Sequence, residues 1–122
     1  MPKRIFIIDD VPPILNIIQK GLEEMGYEIM LASDGEEGWA ATLNWRPDLI
    51  ITDLMMPKLH GLDLLERVRN DHRTQSIPVL CMTSDTDYEL KQDAAALGAT
   101  GWIQKPFQME SWHATLKKIL GE

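Results

Sequence analysis

Five short apolar runs, each followed by a stretch of helical period, restrict the fold of this chain more than any other feature. The runs are residues 4–9 (RIFIID), 27–32 (YEIMLA), 48–52 (DLIIT), 77–83 (IPVLCMT) and 101–104 (GWIQ). The helical stretches are residues 12–26, 33–45, 61–70, 85–98 and 108–120. In the first of these, Ile14, Leu15, Ile17, Ile18, Leu22 and Met25 recur at helical spacing, and Gly26 suits the stop. Pro12 and Pro13 fit an opening helical turn, where a missing N–H does no harm. Ser33 with Glu36 three residues on reads as a capping box. Leu62, Leu64, Leu65 and Val68 give the third helix one apolar face. The fourth opens with an acidic turn, and the fifth carries Lys117 and Lys118 in its last turns.

Strict alternation of strands and helices predicts an α/β domain with a parallel five-stranded sheet covered on both faces. Right-handed crossovers restrict the topology, and the expected arrangement is doubly wound and flavodoxin-like, with strand order 2-1-3-4-5. Only residues 27–32 alternate in polarity, which predicts a less buried strand. There is no internal repeat, low-complexity tract or linker, so residues 1–122 read as one domain, with residues 71–76 a surface loop.

With 122 residues, 44% of them hydrophobic and 25% charged, the chain can bury a core without disulfide or metal staples. No apolar run approaches a membrane span. Near the N-terminus an apolar stretch stops at Asp9 with no small-residue cleavage site after it, unlike a signal peptide. With the single cysteine, Cys81, this gives the expectation of a cytoplasmic protein without disulfides. The net charge of −7 argues against direct nucleic-acid binding and for a divalent cation as the guest of clustered carboxylates.

In a doubly wound sheet ligands bind beyond the carboxyl ends of the strands, where strand order reverses, here between strands one and three. Strand one delivers Asp9 and Asp10 there, strand three Asp53, strand four Thr83 and Ser84, and strand five Lys105. Three carboxylates a few ångströms apart repel one another and recruit a cation. An oxygen-only donor set suits Mg²⁺. Thr83 can donate a hydrogen bond to an arriving phosphoryl oxygen. Lys105 can bind such an oxygen or serve as counter-ion to the carboxylates. So equipped, Asp53 is suited to nucleophilic attack on phosphorus.

Each residue also has a plainer reading. Asp9 and Asp10 would cap the first helix, Thr83 would be an ordinary strand-end residue, and Lys105 would be solvated. Cys81 reads as a small core residue, and Met55 and Met56 as gap-fillers near the mouth. His60, His72 and His113 lack ligand spacing. Trp39, Trp45 and Trp112 read as helix-packing residues, with a partner-contact role left open for Trp112.

Over its whole length the chain resembles the receiver domain of two-component response regulators, a CheY-like family. The matching pieces are IIDD (7–10), PDLIITDLMMP (47–57) with Gly61, VLCMTS (79–84) and LGATGWIQKPF (97–107). The resemblance implies that Asp53 accepts a phosphoryl group from a phosphohistidine on a sensor kinase or phosphotransfer protein. It implies Mg²⁺ held by Asp10, Asp53 and the backbone carbonyl of Met55, with Asp9 acting through water. Thr83 and Lys105 would bind the phosphoryl oxygens, and the Lys105–Pro106 peptide would be cis. Thr83 and the aromatic at position 102, here Trp102, would form the switch that alters the face made by helix four, strand five and helix five. His60 stands where an acidic residue is frequent, and Trp102 is larger than the usual Tyr or Phe. Met55 and Asp85 occupy the positions that tune hydrolysis of the phosphoryl group.

Such a protein is a signalling switch that assists its own phosphorylation and dephosphorylation, not an enzyme with a small-molecule product. It acts on a downstream effector or a covalent output domain, with no membrane partner. Dimerisation through helices four and five on phosphorylation stays open, as does the choice between a single-domain regulator and the receiver part of a longer chain. Three other readings compete. A Mg²⁺-dependent phosphohydrolase with an aspartyl-phosphate intermediate would want an acid where Met55 stands. A flavin mononucleotide binder would want a Ser/Thr/Gly-rich loop where DDVPPI (9–14) stands. A binding-only pseudo-receiver would keep the fold without the chemistry.

Overall fold

The computed structural model describes residues 3–54, 61–84, 88–105 and 108–121. Five strands, β1 (Arg4–Ile8), β2 (Glu28–Ala32), β3 (Leu49–Asp53), β4 (Val79–Ser84) and β5 (Gly101–Lys105), form one sheet in the order β2-β1-β3-β4-β5. Every neighbouring pair is parallel. The helices are α1 (Pro12–Glu24), α2 (Gly35–Trp45), α3 (Gly61–Asn70), α4 (Tyr88–Ala96) and α5 (Trp112–Leu120). This is the flavodoxin-like architecture that the alternation predicts. Among the described residues, no helix is long and apolar enough to cross a membrane.

The sheet separates two cores. Ile5, Ile7, Leu49, Ile51, Leu80 and Met82 face one side, where they meet Ile18 and Leu22 of α1 and Trp112 and Leu116 of α5. Phe6, Ile8, Ile50, Val79 and Cys81 face the other, against Leu64, Leu65 and Val68 of α3 and Ala94 of α4. Strands apolar on both faces thus take the centre, and β2, the alternating one, takes an edge with only Ala32 buried. Each fully buried Ile, Leu or Phe contributes roughly 1.5–3 kcal/mol. Burial also pushes the Cys81 thiol up to about 12, so it stays neutral, as a core residue should.

Local details depart from the sequence reading in four places. Asp34, not Ser33, is the N-cap of α2, its carboxylate accepting the Glu37 N–H at 2.9 Å, so the capping pattern sits one residue later than expected. Ile17 is 54% exposed despite its place in the apolar pattern, because the buried stripe of α1 runs through Leu15, Ile18 and Leu22. The last helix opens with a tighter 3₁₀ turn, Met109–Ser111, before α5. Trp112 is 2% exposed and belongs to the core, which closes the partner-contact role left open for it. His72 and His113 are exposed, and His60 lies outside the described residues, as does the expected start of helix four at residues 85–87.

At the amino ends of β4 and β5, Arg69 ties α3 to the chain around it. Its guanidinium donates to the carbonyls of Ile77 (2.6 Å), Gly98 (2.9 Å) and Gln75 (3.1 Å). Removing a charged donor that serves several carbonyls costs about 2 kcal/mol. Arg69→Ala should therefore lower the unfolding free energy measured in urea by about that much. A change within about 0.5 kcal/mol, the ordinary surface value, would mean that water serves those carbonyls equally well.

Candidate functional site

Parallel pairing brings the carboxyl ends of β1 and β3 side by side. The register sets Ile7 against Ile51 and Ile8 against Thr52, so the next residues, Asp9 and Asp53, emerge together. Carboxylate oxygens of Asp9, Asp10 and Asp53 lie within 4.8 Å of one another. Asp9 is fully buried, Asp53 is 7% exposed and Asp10 is exposed, so the cluster opens to solvent on one side. Asp9 is anchored twice: its N–H donates to the Ala32 carbonyl (3.1 Å), and its carboxylate accepts the Val11 N–H (3.0 Å). The N-cap of α1 is Val11, with no side-chain cap, so capping does not account for Asp10.

At 4.8 Å two like charges repel by roughly 1 kcal/mol in water and roughly 3.5 kcal/mol at the effective dielectric of a protein surface. A hard divalent cation removes that repulsion, and three oxygen donors with an open side fit one. Thr83, 3% exposed, follows Met82, which pairs with Asp53, and so stands on the strand next to the carboxylates. The Ser84–Lys105 pairing brings the backbone of Lys105 to the same edge of the sheet. The side chains of Ser84 and Lys105 lie outside the described residues, as do Met55, Met56, Asp85 and the peptide between Lys105 and Pro106. Trp102 is 38% exposed and lines, with Gln104, Gln108, Ser111 and Thr115, a cavity of about 470 Å³ between β5 and α5.

Gly61 closes the segment that follows Asp53. Its N–H donates to the Leu54 carbonyl at 3.2 Å. A Cβ on Gly61 would lie 2.6 Å from Leu54 Cα and closer still to the Asp53 carbonyl oxygen. Only glycine allows that approach between two backbones. Thr52 was not legible as part of the site: a β-branched residue in an apolar strand reads as filler. Its hydroxyl, however, donates to the Asp53 carbonyl at 3.0 Å.

The profile of the response regulator receiver domain matches residues 5–117. The DNA-binding dual master transcriptional regulator RpaA of Synechocystis is 39% identical over 117 residues, 96% of this chain and 48% of that protein. The chain spans about half the length of RpaA and of the regulators PhoP and PhoB that it also matches. A solved structure of a putative response regulator from Chloroflexus aurantiacus superposes with a TM-score of 0.94 at 30% identity, covering 100% of both chains. The chemotaxis response regulator CheY4 of Vibrio cholerae does so with a TM-score of 0.91 at 34% identity, covering 98% of this chain and 99% of that one.

The contact at Gly61 predicts that Gly61→Ala displaces the Asp53 backbone. Its stability should fall by roughly 1–3 kcal/mol in urea unfolding. An alanine variant as stable as the wild type would show that the 54–61 segment yields without strain.

Proposed function

The chain belongs to the family of response regulator receiver domains of two-component signalling, and from that premise we propose that Asp53 is its phosphoryl acceptor. The observation that carries this reading is the convergence of Asp9, Asp10 and Asp53 within 4.8 Å at the reversal point of the sheet. A carboxylate oxygen of Asp53 attacks the phosphorus of a kinase phosphohistidine. The P–N bond breaks as the acyl phosphate forms, and the histidine ring leaves with the electron pair. Asp10, Asp53 and the Met55 carbonyl would hold Mg²⁺, with Asp9 assisting through water. The bound cation would offset the negative charge gathered on the carboxylates and the arriving phosphoryl group. Thr83 and Lys105 bind the phosphoryl oxygens by hydrogen bond and point charge. Hydrolysis of the acyl phosphate resets the switch, with Met55 and Asp85 setting its rate.

Residues 1–122 act as the receiver unit, and the response is read from the face around Trp102 by an effector or an output domain. Two packings of that face need differ by only a few kcal/mol for phosphorylation to choose between them. The acidic charge keeps this unit itself off nucleic acid, and it works in the cytoplasm. The kinase docks on α1, where Val11, its N-cap, and Ile17 are exposed (42% and 54%). Apolar side chains so placed are suited to a partner helix.

Intact mass after incubation with acetyl phosphate tests the chemistry. One added phosphoryl group should appear, dependent on Mg²⁺ and lost in Asp53→Asn. No adduct, together with no response to beryllofluoride, would favour the binding-only reading. For docking, Ile17→Asp should slow transfer from a phosphorylated kinase roughly tenfold while leaving acetyl phosphate labelling unchanged. Equal transfer rates would remove α1 from the interface.

A further inference from the structure

We infer that Thr52 is a positioning residue for Asp53, an assignment that rests on the phosphoryl-acceptor reading above. Thr52 is fully buried in the centre of the sheet, between Ile8 of β1 and Cys81 of β4. Valine would fill that space as well, and a hydroxyl there is costly to desolvate unless it is bonded. The Thr52 hydroxyl donates to the Asp53 carbonyl at 3.0 Å. Asp53 is the last residue of β3, so the Thr52 hydroxyl meets its carbonyl at the point where the chain leaves the strand. Gly61 lies against the same carbonyl, too close to admit a Cβ.

The Asp53–Leu54 peptide is thus held by Thr52 through a hydrogen bond and by Gly61 through close contact. Side chains alternate along a strand, so Thr52 and Asp53 project to opposite faces. Thr52 therefore works from behind. It orients the carboxylate through the backbone and bonds to neither carboxylate oxygen.

Thr52→Val and Thr52→Ser separate shape from hydrogen bond. The valine variant should weaken Mg²⁺ affinity, measured by NMR titration with the metal alone, and slow acetyl phosphate labelling, each about tenfold. The serine variant, which keeps the hydroxyl, should recover most of both. Amide exchange at Leu54, compared with neighbouring strand amides, should speed in the valine variant and not in the serine one. If valine does not fold, Thr52→Ala against Thr52→Ser gives the same contrast. A valine variant matching the wild type in metal affinity, labelling and Leu54 exchange overturns the assignment, as does a folded serine variant that recovers none of them. If the wild type neither binds Mg²⁺ nor takes a phosphoryl group, the acceptor reading is what fails. Leu54 exchange then decides alone whether Thr52 holds the peptide: faster exchange in valine supports it, and unchanged exchange overturns it.

Discussion

Like charges do not gather unaided, and the parallel register of β1 and β3 is what holds Asp9, Asp10 and Asp53 within 4.8 Å. The mutual repulsion is a matter of a few kcal/mol. Against it stand fully buried side chains such as Ile5, Phe6, Ile7, Ile8, Leu49, Ile50 and Ile51, each contributing roughly 1.5–3 kcal/mol. The core therefore wins, and it wins in the two strands that carry the carboxylates. A site that is unfavourable in itself is held open by the most favourable part of the molecule, so that a cation can relieve it.

The two sides of the sheet have different tasks. Asp9 and Asp53 continue the alternation that turns Ile7 and Ile51 toward α1 and α5. On the other side, Thr52 and Gly61 grip the backbone from which Asp53 projects. Farther along the sheet the hold weakens. Among its described residues α4 buries only Ala94, and Trp102 on the neighbouring β5 is partly in solvent. Elements with little buried surface rearrange at low free-energy cost. A rigid centre beside a loosely anchored edge is a physical basis for the proposed switch, in which chemistry at Asp53 changes the shape of another face.

Most of the fold was legible because apolar period and fold class are tied by burial. The strand and helix counts follow from runs such as LIIT (49–52) and from stripes such as Leu64, Leu65 and Val68. Asp34 displacing Ser33 as the cap was not legible, since adjacent Ser and Asp both suit an N-cap and only the backbone geometry chooses. Ile17 misled because a helix repeats every 3.6 residues, so a broad apolar pattern does not say which edge of it faces out. Of the site, Asp9, Asp10, Asp53 and Thr83 were legible as strand-end residues, but the use of Thr52 was not.

The sequence by itself determined the alternation, the sheet class, and which strand ends bear carboxylates, a hydroxyl and an ammonium, because those depend on local period and on residue chemistry. Only the tertiary structure decided that three carboxylates from two strands share one space, with Asp9 buried and Asp10 in solvent. It alone decided that Gly61 is needed because two backbones touch, and that a threonine hydroxyl turns back on the next residue's carbonyl. The reason is physical. Distances between groups far apart in the chain are set by how strands register and pack, and no local pattern of residues contains them.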